Sequence, residues 1–278
     1  MPELTNPRAE RVTSVRALAG RSARSRSGRY LVEGPQGVRE ALRFAPESVR
    51  DVYVTLAAAE RYTEIVSDAV AARVRVHTAA QDVLDAMSGD AQGVLAVLDA
   101  AATTLAAVLA AGPRLVAVLA HVRDPGNAGA VIRAADAAGA DAVLLTEASV
   151  DVHNPKVVRS TAGSLFHLPV VTGLSLEGAV SALRSAGLAI LAADGAGDQD
   201  LDDLLDVAGP GAHDRAPGVP DLSHATAWVF GNEAWGLPEQ DRALADAVVR
   251  VPIRGRAESL NLATAATVCL YASARAQR

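Results

Sequence analysis

A single cysteine, Cys269, stands in this 278-residue chain. One thiol rules out an internal disulfide framework and argues against a cysteine-based zinc cluster. Aromatic residues make up only 3% of the chain, so the core must be built from Ala, Val and Leu. Lysine occurs once, as Lys156, and nearly every other cation is arginine. No apolar run is long enough to cross a bilayer: the stretch from Val94 to Ala120 is broken by Asp99, Pro113 and Arg114. "MPELTNPRAERVTS" has no apolar centre, so no signal peptide is expected, and a cytoplasmic location is. Four motifs are missing as well. No strand leads into G-x-G-x-x-G, no G-x-x-x-x-G-K-[ST] occurs, no G-x-S-x-G elbow is present, and no histidine pair has metal spacing. Dinucleotide cradling, P-loop chemistry, triad hydrolysis and zinc catalysis all lose support.

The charge is unevenly spread. Net charge is −6, which argues against general nucleic-acid binding. Yet Arg8, Arg11, Arg16, Arg21, Arg24, Arg26 and Arg29 stand against Glu10 alone. Such a segment suits phosphate docking. The plainer alternative is a solvated, partly disordered arm. Acid is concentrated later, in "DGAGDQDLDDLLD".

Alternation of short apolar runs with helical patterns predicts α/β architecture, and from Arg114 onward the regular strand–helix alternation predicts a parallel sheet with helices on both faces. Residues 1–105 read as a small α/β unit, with a helical, Ala-rich linker to about 112; residues 113–278 read as a second, larger domain. In the first, "SVRALAGRSARSRSGRYLVEG" predicts a helix, a basic loop and a strand. In the second, "RLVAVLAHV", "DAVLLTE", "LAILAAD", "ATAWVFG" and "VVRVPI" predict strands. "PEQDRALADA" and the stretch after Asn261 predict helices, and Gly195–Leu222 reads as loop with one helix at most.

Ligands of an open parallel sheet bind beyond the carboxyl ends of its strands. Three loops there carry more polar chemistry than a turn requires. In "HVRDPGNAGAVIRAADAAG", Asn127 is placed to cap a helix and Arg133 is the lone charge among small and apolar residues. In "VFGNEAWGLP", Glu233 has no role in a plain turn, whereas Trp235 has the ordinary reading of a packing residue. In "VPIRGRAESLNLATAATVCLY", one of Ser259 and Asn261 is explained by capping, but Arg254, Arg256 and Glu258 beside them are not. A metal-free site of Asn, Arg, Glu, Ser and backbone amides suits group transfer governed by positioning.

These three stretches resemble the three signature motifs of the SpoU–TrmH branch of the SPOUT RNA methyltransferases, in order, spacing and composition, and "NPKVVRSTAGSLFHLPV" resembles the segment between the first two. The match runs from Leu115 to about Ala274. "RSARSRSGRYLVEGPQGVREAL" is similar to that family's ribosomal-protein-like N-terminal substrate domain, and "GNEAWGLP" resembles its thiostrepton- and nosiheptide-resistance subgroup.

The resemblance implies a catalytic domain with a deep C-terminal trefoil knot, a homodimer, S-adenosylmethionine as cofactor without metal, and methylation of a ribose 2′-hydroxyl. The long N-terminal part favours 23S ribosomal RNA over transfer RNA; a non-catalytic RNA-binding protein is the rival outside the enzyme class. Carried over residue by residue, the catalytic set is Asn127, Arg133, Glu233, Ser259 and Asn261. The implied cofactor contacts are Leu191, Ala192, Ala193, Gly231, Asn232, Glu233, Val251, Ile253, Ser259, Leu260 and Asn261. Asn232 departs from the serine that many members carry. RNA contacts are expected at Arg16, Arg21, Arg24, Arg26, Arg29 and Arg159.

Overall fold

Val94–Asp99 is almost wholly apolar, and the computed structural model, which describes residues 1–209 and 215–278, places it inside a four-stranded sheet. The sheet is built from β1 (Arg29–Glu33), β2 (Val49–Thr55), β3 (Arg75–Ala79) and β4 (Val94–Asp99), in the order β1-β4-β2-β3. Side chains alternate across a strand, so β4 serves two cores. Val94, Ala96 and Leu98 join Val32, Val38 and Ile65 on one face, while Leu95 and Val97 join Leu31, Tyr53 and Leu84 on the other. β4 runs antiparallel to both β1 and β2, and only β2–β3 is parallel.

This first compact unit comprises Met1–Ala102 together with Asp151–His167. Val158 is buried in its core, with Leu165 and Phe166 packed alongside. The predicted basic loop is instead a helix, Arg21–Ser27, closed by Gly28 in the left-handed region at φ 64°. Arg24 fixes it: the side chain is 6% exposed and donates to the carbonyls of Leu18 and Ala19 at 3.0 and 2.7 Å.

The second unit, Thr103–Val150 with Leu168–Arg278, holds a seven-stranded sheet. Its strands are β5 (Leu115–Leu119), β6 (Ala142–Thr146), β7 (Val170–Leu174), β8 (Ala189–Ala193), β9 (Gln199–Asp200), β10 (Thr226–Phe230) and β11 (Ala247–Arg250). They pair in the order β7-β6-β5-β10-β8-β11-β9, every pair parallel. Register aligns Leu119, Phe230 and Ala193, so the loops after β5, β10 and β8 leave from one edge. β10 sits where the chain's direction of winding reverses, the place where such sheets bind ligands. Trp228, fully buried on β10, donates to Ser273 Oγ at 2.9 Å and so ties the sheet to the helix Leu262–Ala276.

Several boundaries differ from expectation. β11 ends at Arg250 because Pro252 has no N–H to extend the ladder. The helix after Pro238 covers only Glu239–Arg242, since the chain then tightens into bonds from Leu244 to Asp241 and from Ala245 to Arg242. Within the acidic segment, β9 is an addition to the sequence-based expectation, and the helix Leu201–Asp206 is present. Part of that segment, residues 210–214, lies outside the described residues.

Candidate functional site

The helix after β5 starts earlier than the sequence suggests. Pro125 occupies its first position and Asp124 is the cap, accepting from Asn127 N at 2.8 Å. A proline there presets φ and has no N–H to leave unpaired. Asn127 therefore lies inside the first turn, and its side chain is free for other work. Its Oδ1 accepts from Asn261 Nδ2 at 3.0 Å, and its Nδ2 donates to Glu233 Oε1 at 3.4 Å. Glu233 also accepts the backbone N–H groups of Arg123 and Asp124 at 3.3 and 3.1 Å. Those donors precede a helix and have no partner within it. A carboxylate at this end is further favoured by the helix dipole. One relay, Asn261 to Asn127 to Glu233, thus joins all three loops that the sequence singles out.

The loop after β10 is held by its own backbone. Asn232 and Gly236 exchange two hydrogen bonds, at 3.0 and 2.9 Å. The Asn232 side chain, 5% exposed, donates to His121 O at 2.7 Å and accepts from Ala234 N at 2.9 Å. A Cβ on Gly231 would lie 2.4 Å from the carbonyl carbon of Gly236, so only glycine fits. After β11, Asn261 caps the final helix by accepting from Ala263 N at 2.9 Å.

Beyond these strand ends lies a cavity of about 810 Å³. Of the expected cofactor contacts, Ala193, Gly231, Asn232, Glu233, Val251, Ile253, Ser259 and Leu260 line it. Leu191 and Ala192 do not; they are 0% and 1% exposed inside β8. Asn261 stands outside the lining as a helix cap. Sequence reasoning misses Asp194, Arg242 and Arg250 on the wall, where Arg242 pairs with Asp194 at 3.6 Å and Arg250 with Asp200 at 3.3 Å. Asp194 was findable, being the first residue after the β8 strand end. The arginines lie on elements whose orientation sequence alone does not give. Phe230, Leu237, Ile253 and Leu260 make an apolar strip, and Asp194, Glu233 and Glu258 place acids beside it. That donor set fits a ligand with a flat apolar ring, hydroxyl groups and a cationic end.

Arg133 is the ninth residue of its helix, exposed, outside the cavity lining and without an ion pair to any described residue. No group of three or more His, Cys, Asp or Glu among the described residues could hold a metal ion, and no described helix is long and apolar enough to cross a membrane.

In the first unit the basic residues divide into two groups. Arg16, Arg21 and Arg26 are exposed and make no ion pair with described residues. Arg24 departs from the phosphate role expected of it: its Nη2 and Nε donate to Asp151 Oδ2 at 2.7 and 3.0 Å, and its Nη1 donates to the carbonyls of Leu18 and Ala19. Burial pushes the Asp151 carboxyl up, but the hydrogen bonds from Arg24 and from His153 N outweigh it and hold the group below its ordinary range. Arg159 is likewise engaged, with Glu33 and with Asp90, the latter at 3.0 Å. Arg29 pairs with Asp99 at 3.5 Å.

Comparison with known proteins places these features in context. The profile of the SpoU rRNA Methylase family matches residues 114–271, and that of RNA 2′-O ribose methyltransferase substrate binding matches residues 31–104. A 23S rRNA (guanosine-2′-O-)-methyltransferase RlmB of Bordetella pertussis is 32% identical over 88% of this chain and 96% of its own length. The crystal structure of an AdoMet-bound rRNA methyltransferase from Sinorhizobium meliloti superposes with a TM-score of 0.80 at 26% identity, over 98% of this chain and 97% of that one. The SpoU methyltransferase AviRb of Streptomyces viridochromogenes, solved in complex with the cofactor AdoMet, gives 0.77 at 31% identity, over 96% and 98%.

Proposed function

This chain belongs to the SpoU rRNA methylase family, and from that premise we propose that it methylates a ribose 2′-hydroxyl of 23S ribosomal RNA with S-adenosylmethionine as donor. The observation that carries the reading is the Asn261–Asn127–Glu233 relay, which locks three strand-end loops beside an 810 Å³ cavity. Phe230, Leu237, Ile253 and Leu260 would enclose the adenine ring; Asp194 and Glu258 would face the ribose hydroxyls and the ammonium group. When bound, S-adenosylmethionine supplies an electrophilic methyl group on a sulfonium whose leaving group is a neutral thioether, so the reaction needs no metal.

The RNA 2′-oxygen would be the nucleophile: an O–CH₃ bond would form as the S–CH₃ bond breaks, and the hydroxyl proton would pass to solvent water. A ribose hydroxyl is a weak nucleophile because its pKa is far above neutral. Arg133 favours the developing alkoxide electrostatically, with an exposed guanidinium that no carboxylate of the described residues neutralises. It does not act as a base, since a guanidinium stays protonated below about pH 12. Asn127 and Glu233 fix the start of the helix that carries Arg133, and Ser259 contributes a hydroxyl to the cavity wall.

Residues 1–105 serve as the RNA-binding domain, with the linker running to about 112, and 113–278 as the catalytic one. Arg16, Arg21 and Arg26 are its phosphate contacts. A trefoil knot in the second domain is supported by the path β8 to β10 to β11, in which the chain returns to pair on both sides of β8. A homodimer acting in the cytoplasm completes the reading. The name of the Bordetella relative favours ribosomal over transfer RNA.

The test is to incubate the protein with unmethylated 23S rRNA transcript and methyl-tritiated S-adenosylmethionine, then hydrolyse in alkali. A 2′-O-methylated nucleotide blocks cleavage at its own linkage, so the label is expected in one alkali-resistant dinucleotide. Label released in mononucleotides, or none incorporated, refutes the reading.

A further inference from the structure

Of the two tryptophans, Trp228 is fully buried and Trp235 is 51% exposed. The ordinary reading of Trp235 as a packing residue therefore fails. Its loop is nevertheless closed by hydrogen bonds. The paired Asn232 and Gly236 backbones bracket it, Gly236 sits in the left-handed region at φ 66°, and the Asn232 side chain bonds both Ala234 N and His121 O. The guanidinium of Arg123, from the loop after β5, lies 5.2 Å from the centre of the indole ring. Trp235 also forms part of the cavity wall. A large ring held in place by its backbone, backed by an exposed cation and half open to solvent, is organised for a ligand outside the cavity.

Other exposed rings have different partners. Phe44 meets the His167 ring at 4.5 Å, and the Tyr271 hydroxyl donates to Ala137 O at 3.1 Å. Trp235 alone combines exposure, a cation and the cavity rim.

We propose that Trp235, with Arg123, is a stacking platform for a nucleobase of the RNA substrate, splayed out of its helix beside the cavity. The inference rests on the function proposed above. Indole faces stack on any base, and an arginine plane offers both a second π surface and charge for the neighbouring phosphate. Trp235 is thus a positioning residue that sets which nucleotide presents its 2′-hydroxyl, and it carries none of the chemistry.

The experiment uses full-length protein, 23S rRNA transcript as the probe, and the Trp235→Ala and Trp235→Phe variants. Stacking on an indole is worth roughly tenfold in affinity, so Trp235→Ala should raise the KM for RNA about tenfold, and Trp235→Phe should recover most of that loss. S-adenosylhomocysteine affinity, measured without RNA, should fall by much less than the RNA KM rises, because Trp235 only borders the cavity. Trp228 emits as well, but it is buried away from any RNA, so the RNA-dependent change that Trp235→Phe loses is the signal of Trp235. With S-adenosylhomocysteine saturating, RNA should quench wild-type emission and leave Trp235→Phe unchanged. An unaltered KM in Trp235→Ala together with no quenching overturns the platform and leaves methyl transfer standing. Loss of S-adenosylhomocysteine binding in Trp235→Ala overturns it in favour of a cofactor wall, and a changed subunit mass in favour of an interface residue. Wild-type protein that transfers no methyl group refutes the underlying function, and this inference with it.

Discussion

Replacing Asn261 by aspartate separates stability from positioning at one atom pair. The side chain does two jobs: Oδ1 accepts from Ala263 N at 2.9 Å, and Nδ2 donates to Asn127 Oδ1 at 3.0 Å. Aspartate keeps the first, and its charge at a helix N-terminus adds about 0.3–1 kcal/mol. It loses the second and sets an acceptor against an acceptor. Asn127 cannot repair this by turning its amide over, because its oxygen would then face Glu233, a carboxylate that only accepts. The lost bond costs about 0.5–1.5 kcal/mol. Screening at this exposed position keeps the added repulsion to roughly 1 kcal/mol or less. A total near 1–2 kcal/mol predicts kcat/KM for methyl transfer down by about 5- to 30-fold. Asn261→Ala loses the cap as well, about 1 kcal/mol, and should lower Tm by roughly 2–4 °C more than Asn261→Asp does. Tritium transfer to 23S rRNA and circular-dichroism melts on both variants decide the matter. Wild-type kcat/KM in Asn261→Asp refutes the relay, and equal Tm losses in the two variants refute the cap.

Arg133→Ala should cut methyl transfer by about 10²–10³-fold while leaving the melt unchanged, because the side chain is exposed and makes no ion pair with a described residue; near-normal transfer removes its charge role. Changing Arg16, Arg21 and Arg26 to Ala together should weaken RNA binding and flatten its salt dependence by about 0.7–0.9 of a unit for each phosphate no longer neutralised, with S-adenosylhomocysteine affinity unmoved. Identical slopes would place the RNA elsewhere. Asp151 is held below its ordinary pKa of 3.8, so its pairing with Arg24 stabilises the fold above that value and is lost as pH falls through the lowered one. The Tm gap between wild type and Asp151→Asn should therefore be wide above pH 3.8 and narrow as the pH falls below it, and a gap independent of pH refutes the pairing.

The site was more legible than the fold around it. Asn127, Glu233 and Asn261 stand out because each is a hydrogen-bonding group beyond what its turn needs, and the structure joins them in one chain. The same reasoning misplaces Asn127 at the cap, because Asp124 and Pro125 together make a stronger start. Arg24 looks like its neighbours in sequence; only burial and a carboxylate more than a hundred residues away distinguish it. The mixed sheet of the first unit is hidden because its antiparallel pairs are not sequence neighbours: β4 joins β1 and β2 across intervening helices. Hydrophobic periodicity marks a strand but not its direction.

The strip Asp151–His167 lies between β6 and β7 in sequence yet belongs to the first compact unit. During synthesis, therefore, the part of the chain made first cannot close its core until the ribosome has passed Phe166, by which time β5 and β6 of the other unit have emerged. The strip also limits where the gene can be divided. A fragment ending near residue 105 would lack Val158, Leu165 and Phe166 and would leave Arg24 facing no carboxylate, a loss of about 3–5 kcal/mol for a buried cation alone. A fragment beginning near residue 113 would carry the strip without its partners. The two halves recognised at the level of sequence families are thus not separable parts, and insertion or exchange of the RNA-binding half has to carry residues 151–167 with it.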